Sequence, residues 1–428
     1  MNKNVLLIDF GASRIKSACL LSTQELPSTN HDSLGSATIG HKCLASFFAE
    51  ALIEHLTVAE KMVPVDAIMI CAEMHGYALC DYVSGLPGEY VSWRHSSPAD
   101  TGQIAMLNNN GFFETTGMKA KAGLPVVNIL TGASTIPNDG RALDIAFIPD
   151  AICRLLGESY HKVHASLAHA SGLYTRDNQP LTGFGLPALS CPAASDQDDV
   201  CVGIVSFQGR AIPCYGGYGD LQVSVLGVQP EEDQWIINLG TGSQIISLAP
   251  VDSNSFEQRA YFNQKMIDCI THIPAGRVLN IFANLFSEIR GETTPDHFWR
   301  MMKNTKITGD IDDLPIFDLA AFPQAFGFSG GGSVTNVNEQ HFNVNSFCAG
   351  LMNSFVEQYV QLLQVSGSKS QRPIILSGNL GQSVPIITEF FEKKWNSKIT
   401  QFQNNIDPSI LGLVYLSRLH LRVSNLTS

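Results

Sequence analysis

The chain has 428 residues, with 27 Lys or Arg and 39 Asp or Glu, so its formal net charge is −12. This acidic balance disfavours a protein that binds nucleic acid, which needs a clustered basic face. No apolar run approaches the roughly 18 residues of a membrane span, so we expect no membrane partner. The first apolar run, residues 5–8, is too short for a secretion signal. The ten cysteines contain no C-x-x-C pair and are expected to be reduced thiols, which favours the cytoplasm.

The first half of the chain alternates predicted strands and helices. Residues 5–8 predict a strand, Asp9-Phe10-Gly11-Ala12-Ser13 a tight turn, and residues 15–21 a returning strand. Further along, helical or strand patterns and one polar stretch predict a helix over 45–55, a buried strand over 65–71, a helix over 150–156 and a surface loop over 187–199. This alternation indicates α/β architecture.

A second hairpin of the same design begins near the middle of the chain. Residues 235–239 run into Gly240-Thr241-Gly242-Ser243, and residues 245–248 return. An offset of 229 (238 − 9 = 229) places Asn238 on Asp9 and Gly240 on Gly11. The repeat predicts two halves of related fold, with domains at 1–228 and 229–428.

The second half continues the α/β pattern. It predicts a helix with an apolar face over 347–363, a strand over 374–376, a helix with Pro385 in its first turn and a last helix over 409–421.

Both hairpin turns have the composition of a phosphate-binding turn. Glycine lets the backbone approach an anion closely, and successive N–H groups can hold a phosphate. Asp9 adds a carboxylate that can hold hydrated Mg²⁺, and Thr241 adds a hydroxyl. Each turn alone is better explained as a plain hairpin; the occurrence of two favours phosphate binding.

A third loop, Ser377-Gly378-Asn379-Leu380-Gly381, lies between a strand and a helix and offers small residues to a nucleotide base. It does not match G-x-G-x-x-G, which disfavours a dinucleotide-dependent dehydrogenase.

Two other segments offer groups for a sugar. Asp220 follows Gly216-Gly217-Tyr218-Gly219 and is a candidate general base for a hydroxyl proton, although an Asp beside Gly is also a common turn residue. Met74-His75-Gly76 and Trp93 follow predicted strands, where each residue taken singly is more often part of a core. The other histidines show no zinc-binding spacing, and no G-x-S-x-G or Cys–His pair is evident.

In this order the motifs resemble those of the FGGY carbohydrate kinases, within the actin–hexokinase ATPase superfamily, and the resemblance covers nearly the whole chain. The segments that carry it are residues 8–16, Met74-His75-Gly76, Gly219-Asp220, Gly240-Thr241-Gly242 and Ser377-Gly378-Asn379. It implies two ribonuclease-H-like domains flanking an ATP and sugar cleft. The N-terminal domain would bind the sugar and the C-terminal domain ATP, and a homodimer is common among such proteins.

The resemblance also implies roles for individual residues. Asp220 would be the catalytic base, and Asp9 would hold Mg²⁺. ATP would be bound by Asp9, Gly11, Ala12, Ser13, Lys16, Gly240, Thr241, Gly242, Gly378 and Asn379. The sugar would be bound by Met74, His75, Trp93, Asp220 and Gln222.

The substrate is predicted less directly. The segment Gly219-Asp220-Leu221-Gln222 resembles the sedoheptulokinase subfamily, which implies phosphorylation of sedoheptulose at its terminal hydroxyl; xylulose or ribulose is the alternative. Three elements depart from the family pattern, one being the Gly-Glu-Arg of the second half, which is not found. Glu73 replaces the usual Gln, and Trp93-Arg94-His95-Ser96-Ser97 lacks the Asp and Arg of Trp-x-Asp-x-Arg. A non-catalytic sugar or nucleotide sensor on the same fold is therefore a second hypothesis, and a heat-shock-type ATPase a third.

Overall fold

The structure is a computed structural model. It describes residues 3–22, 27, 30–34, 41–97, 99–134, 140–240, 242–321, 331–339, 341–365 and 372–421. None of the helices in these ranges combines the length and hydropathy needed to cross a bilayer. The ten cysteines all lie in these ranges and form no disulfide.

The strands, in chain order, are β1 Val5–Phe10, β2 Arg14–Leu20, β3 Asn30–Leu34, β4 Lys42–Leu44, β5 Ala67–Ala72, β6 Tyr77–Cys80, β7 Pro87–Val91, β8 Leu143–Ala146, β9 Gly157–Ser159, β10 Lys162–His164, β11 Leu189–Ser190, β12 Ala193–Ser195, β13 Cys201–Phe207, β14 Arg210–Gly219, β15 Trp235–Leu239, β16 Gly242–Ser247, β17 Glu257–Ala260, β18 Met266–Pro274, β19 Ile316–Phe317, β20 Val334–Thr335, β21 Ile374–Ser377 and β22 Ile399–Gln401.

The α-helices are α1 Ser46–Glu60, α2 Asp100–Asn109, α3 Phe112–Thr116, α4 Pro125–Leu130, α5 Ile148–Leu156, α6 Ala165–Ala170, α7 Asp220–Val228, α8 Gly276–Arg290, α9 Asp296–Asn304, α10 Val344–Val365, α11 Asn379–Ser383, α12 Pro385–Lys394 and α13 Pro408–Leu421. Two short 3₁₀ turns cover Phe262–Gln264 and Ile311–Asp313. The predicted loop 187–199 contains the short strands β11 and β12, which the polar composition of that stretch did not indicate.

The chain divides into two compact units. Unit 1 contains Met1–Gln229, Arg259–Met266 and Asn404–Ser428, and unit 2 contains Pro230–Gln258 and Ile267–Gln403. The chain passes from one to the other at Gln229, and two later segments return to unit 1. Helix α13, expected in the second domain, therefore belongs to unit 1.

Unit 1 is built on a seven-stranded sheet in the order β3-β2-β1-β5-β14-β13-β9. Strand β1 is antiparallel to β2 and parallel to β5, and β14 is parallel to β5. Every residue of β1 and β5 is buried, as expected for central strands covered on both faces. One face packs on α1 and α5, and α13 packs against β1 and β5.

Unit 2 repeats this arrangement in a six-stranded sheet, β17-β18-β16-β15-β21-β22. Strand β15 is antiparallel to β16 and parallel to β21, and β22 is parallel to β21. Trp235, Ile237 and Leu239 of β15 lie in a core with residues of α10 and α12, among them Phe355 and Phe390.

The two hairpins match strand by strand. In unit 1 Asp9 pairs with Lys16, and in unit 2 Asn238 pairs with Gln244. The offset is 229 on the first strand but 228 on the second (244 − 16 = 228), because the second turn is one residue shorter. The repeat predicted from sequence is present, and the ion pair of unit 1 is replaced by an amide pair in unit 2.

Candidate active site

The first phosphate-type turn, Gly11-Ala12-Ser13, connects β1 and β2 and is partly exposed, with Ser13 the most accessible of the three residues. A Cβ atom on Gly11 would lie 2.9 Å from the carbonyl oxygen of Arg14, closer than real Cβ contacts come. The turn therefore requires glycine at this position.

Asp9, at the start of this turn, is buried and tied to two distant residues of the chain. The Lys16 ammonium lies 3.0 Å from Asp9 Oδ2 and 2.9 Å from Asp407 Oδ2. The Ser409 Oγ lies 2.6 Å from Asp9 Oδ2 and 2.7 Å from Asp407 Oδ1. Because the hydroxyl has one proton, it donates to one of these carboxylates at a time, whereas the Lys16 ammonium contacts both carboxylates.

The charges in this cluster support one another. Burial opposes ionisation of Asp407, but the Lys16 charge and the hydrogen bonds from Ser409 hold its pKa below the usual value. Lys16, although desolvated, has a raised pKa because of Asp9 and Asp407. The predicted phosphate ligand Lys16 is thus held by two carboxylates in unit 1.

Replacing Ser409 with Ala is expected to lower the free energy of unfolding by about 1–3 kcal/mol, since a buried carboxylate loses a charge-assisted donor. Urea unfolding followed by intrinsic fluorescence measures this. Ser417→Ala is the matched control: among the described residues, this buried serine of the same helix donates to the carbonyl of Val414 alone. Equal losses in both variants would contradict a particular role for Ser409.

The geometry of Asp9 fits a hydrated Mg²⁺. Oδ2 is occupied by Lys16 and Ser409, whereas Oδ1 is buried and makes no hydrogen bond within the described residues. One carboxylate oxygen suits an ion that keeps most of its waters and takes its other ligands from phosphates. Among the described residues no cluster of three His, Cys, Asp or Glu side chains forms a complete protein metal site.

The predicted base Asp220 lies at the same edge of the sheet as Asp9. In the parallel strands β1, β5 and β14, Cys71 pairs with both Asp9 and Tyr218. Asp220 follows two residues after Tyr218, at the carboxyl ends of these strands, where ligands bind in open α/β sheets. The Cys71 thiol has a raised pKa, through burial and then the charges of Asp9 and Asp220.

The environment of Asp220 suits a general base. Burial and the charges of Asp9 and Glu73 raise its pKa to about 7, against a backbone hydrogen bond from Leu221 and the charge of Lys16. The amide of Leu221 donates to Asp220 Oδ1 at 2.8 Å, which fixes the carboxyl at the start of α7. A carboxyl of such pKa takes up and releases a proton near neutral pH.

A buried hydrogen-bond network fixes the residue before Asp220. The amide of Gly219 donates to Ser166 Oγ at 3.0 Å, and Ser166 Oγ lies 2.8 Å from His164 Nδ1. The other ring nitrogen of His164 is 3.2 Å from Asp198 Oδ1. This Ser–His–Asp arrangement is not a nucleophile site, because Ser166 is fully buried and its oxygen is already used.

The predicted sugar residues Met74 and Gln222 meet at Gly219. A Cβ atom there would lie 2.4 Å from Gln222 Oε1 and 3.0 Å from Met74 Sδ. The Gln222 amide nitrogen donates to the carbonyls of Ser166 and Ala260, whereas its Oε1 makes no hydrogen bond within the described residues. Oε1 is thus an acceptor beside Asp220.

Glu73, the departure from the family pattern, is buried and accepts a hydrogen bond from Tyr90 Oη at 2.7 Å. Burial and the Glu73 charge raise the pKa of Tyr90 well above its usual value. A Cβ atom on Gly76 would lie 1.8 Å from Tyr90 Oη, so glycine at this position admits the tyrosine. His75 is buried, with Nδ1 2.5 Å from the carbonyl oxygen of Ala170. These contacts fix the Met74 segment.

Trp93 follows β7 and is half-buried. The Arg94 guanidinium carbon lies 5.2 Å from the centre of the Trp93 ring, and its Nη2 lies 3.5 Å from Ser13 Oγ. This loop therefore reaches the first phosphate-type turn.

In unit 2 the second turn and the predicted adenosine loop lie together. Gly378, with φ +85°, packs so closely that a Cβ would lie 2.5 Å from the carbonyl oxygen of Leu239. The Gly240 carbonyl accepts from the amide of Gly276, and Gly242 pairs with Pro274 of β18. Asn379 is exposed at the start of α11. Thr241 lies outside the described residues.

The structure thus collects the predicted residues of unit 1 around one sheet edge, and those of unit 2 around another. Sequence reasoning missed Ser409, Asp407, Ser166, Tyr90 and Arg94. Only Arg94 stood in a segment already singled out, where it departs from the family pattern.

No protein-family model and no curated protein sequence matches the chain. Solved structures do. A ligand-bound xylulose kinase from Lactobacillus acidophilus is 14% identical with TM-score 0.79, covering 99% of this chain and 90% of that one. A glycerol kinase from Plasmodium falciparum with ADP is 15% identical with TM-score 0.76 and the same coverages. A gluconate kinase from Lactobacillus acidophilus is 13% identical with TM-score 0.77, again with these coverages.

These likenesses extend over the whole length of the chain and show its fold. It is the mixed α/β fold of the sugar kinases of actin–hexokinase type, as the order of motifs predicted. At such low identities the substrate and the activity do not follow from the likeness.

Proposed function

We propose that the protein is an ATP-dependent carbohydrate kinase that phosphorylates the terminal hydroxyl of a ketose. The observation that carries the proposal is the placement of Asp220, a carboxyl with a pKa raised to about 7, at the sheet edge where Asp9 begins a phosphate-type turn. The solved kinases of the same fold support it.

In this mechanism Asp220 accepts the proton of the sugar hydroxyl, whose oxygen attacks the γ-phosphorus of ATP in line. Met74 and Gln222 orient the sugar beside Asp220, and Gln222 Oε1 accepts from a sugar hydroxyl. The amides of the Gly11–Ser13 turn hold phosphate oxygens. Asp9 would hold hydrated Mg²⁺, which would supply charge neutralisation on the phosphates. Phosphoryl transfer depends mostly on positioning and charge neutralisation, which these groups provide.

Unit 2 would contribute the nucleotide contacts. Gly240 and Gly242 would offer backbone N–H groups to phosphates, and Gly378 and Asn379 would offer small surfaces to the adenosine. The packing of Gly378 on Leu239 keeps these two elements together.

For the substrate we propose sedoheptulose, because Gly219-Asp220-Leu221-Gln222 resembles the sedoheptulokinase subfamily and Gln222 lies against Gly219 and Met74. A pentulose such as xylulose is the second candidate, favoured by the xylulose kinase among the similar structures. We also propose that the protein acts in the cytoplasm. It would need no nucleic acid or membrane partner.

The test is ADP release from MgATP across sedoheptulose, xylulose, ribulose, fructose, gluconate and glycerol. We expect one ketose to give a kcat/KM at least tenfold above the others, and above the hydrolysis seen without sugar. Clear ATP binding with no sugar-dependent ADP release would overturn the kinase proposal in favour of a sensor. A preference for gluconate would overturn the ketose assignment alone.

A further inference from the structure

We propose that Arg94 is the cation that contacts the phosphoryl group during its transfer, in place of Lys16. The inference rests on the proposed function and names a residue that the sequence motifs did not assign to the site. It follows from the position of the guanidinium, the way its loop is held and the partners of the neighbouring cations.

The Arg94 side chain reaches the phosphate-type turn directly. Its Nη2 lies 3.5 Å from Ser13 Oγ, and Ser13 is exposed at the tip of the turn. A phosphate oxygen held by the amides of this turn would thus come within reach of the guanidinium. Arginine presents several N–H donors in a fixed plane and suits a phosphoryl group well.

The loop that carries Arg94 is fixed on both sides. His41 Nδ1 lies 2.6 Å from the Arg94 carbonyl oxygen, and the His41 carbonyl accepts from the amide of Ser92 at 3.0 Å. Gly123, at φ +86°, lies so close that a Cβ would be 1.9 Å from the Trp93 carbonyl oxygen. The Trp93 ring also supports the guanidinium. A pre-positioned cation loses little conformational entropy when an anion arrives.

Two cations of the β1–β2 hairpin, Lys16 and Arg14, contact carboxylates. Lys16 lies between Asp9 and Asp407, as described above. Arg14 points to Asp32 at 3.5 Å, with 70% of its side chain exposed. Asp9 and Glu73 meanwhile place negative charge at this sheet edge, as their effects on the pKa of Asp220 show. A triphosphate brought here needs a positive group besides Mg²⁺, and Arg94 lies at the turn that would bind it.

In the step itself, the sugar oxygen forms a bond to the γ-phosphorus while the bond from that phosphorus to the β,γ-bridging oxygen breaks. The electron pair leaves with ADP, and the hydroxyl proton goes to Asp220. Arg94 would stabilise the charge on the transferring group and would take no proton.

The experiment compares the binding of two nucleotides to the full-length protein by titration calorimetry, with Mg²⁺ present. The non-hydrolysable β,γ-imido analogue of ATP carries the γ-phosphoryl group, and ADP lacks it. In Arg94→Ala we expect Kd for the analogue to rise about tenfold and Kd for ADP to change less than twofold. In turnover assays kcat should fall by about 100- to 1000-fold. Arg94→Lys should recover part of both losses, and guanidinium ion added to Arg94→Ala should restore part of the rate.

The matched control is Arg14→Ala, an arginine next to the same turn whose side chain points to Asp32; it should bind both nucleotides as the wild type does. Equal weakening of both nucleotides in Arg94→Ala, or unchanged binding and kcat, would overturn the inference while leaving the kinase proposal standing. Losses of nucleotide binding and kcat in Arg14→Ala equal to those in Arg94→Ala would also overturn the inference. Failure of the wild type to bind either nucleotide would instead overturn the proposed function, and this inference with it.

Discussion

Replacing Asp220 with Asn is expected to lower kcat by about 10²–10⁴-fold, the usual contribution of a positioned general base, while Kd for MgATP changes little. Asn has the shape of Asp and can accept the same hydrogen bond from the Leu221 amide, but it cannot take a proton at neutral pH. The loss should therefore fall on the chemical step. Coupled ADP release measures kcat, and calorimetry measures the affinity.

Asp177→Asn, at an exposed aspartate of the same unit, is the control and should retain the wild-type rate. If Asp220→Asn kept more than a tenth of wild-type turnover, Asp220 would not be the base. A loss of ATP binding as large as the loss of rate would indicate that the carboxylate serves the nucleotide instead.

The raised pKa of Asp220 also predicts how kcat/KM for the sugar depends on pH. The base must be ionised, so kcat/KM for the sugar should rise with pH and level off above an inflection. Burial and the charges of Asp9 and Glu73 put the pKa at about 7 in the protein without metal. Mg²⁺ beside Asp9 would offset part of that negative charge, so the inflection should lie at or somewhat below this value.

The raised pKa of Asp220 also affects the free energy of unfolding, which should fall as the pH rises, whereas kcat/KM should increase. A carboxyl whose pKa is about 3.9 in the unfolded chain and about 7 in the folded protein favours folding when protonated. That contribution is fully present below about pH 4 and is lost as the pH rises through 7. Asp220→Asn should therefore be more stable than the wild type at pH 8, which also confirms that the variant folds.

Much of this fold could be predicted from the sequence, because the patterns that indicate it lie within short segments of the chain. The hairpin at Asp9 and its repeat at Asn238 are short runs in which strand, glycine turn and strand follow one another. Asp220 was also recognisable as a candidate site residue, because glycines precede it at the end of a strand. The likeness to solved sugar kinases confirms the fold that this order of motifs predicted.

The supporting residues were not predictable, because their partners are remote in the chain. Ser409 meets Asp9 across 400 positions, and Ser166 meets Gly219 across 53. A serine in a helical pattern carries no sign of such a contact. The place of the last helix was not predictable for the same reason: nothing local shows that α13 packs on β1 and groups with unit 1.

Replacing Gly412 with Ala is expected to have the largest structural effect of any change argued in this protein. Helices α7 and α13 meet backbone to backbone: a Cβ on Gly412 would lie 2.0 Å from the carbonyl oxygen of Val223, and a Cβ on Gly227 would lie 1.9 Å from that of Pro408. Backbone carbonyls cannot rotate away as side chains can, so the helices must separate. Overpacking of this kind costs about 1–3 kcal/mol or more, which urea unfolding measures.

We expect Gly412→Ala to lower kcat as well, because each helix begins near a residue of the candidate active site. Asp220 is the first residue of α7, and Ser409 is the second of α13, bonded to Asp9. Separating the helices changes the distance between the proposed base and the turn proposed to hold the phosphates, so kcat per folded molecule should fall at least tenfold, since misplacement of about 1 Å can cost 100-fold. Gly102→Ala, in α2, is the control: a Cβ there meets nothing within 4 Å, and alanine favours a helix by up to about 1 kcal/mol. If Gly412→Ala were less stable but kept full kcat per folded molecule, the helix crossing would be structural only, and the placement of Asp220 would depend on its strand and on the Ser166 network instead.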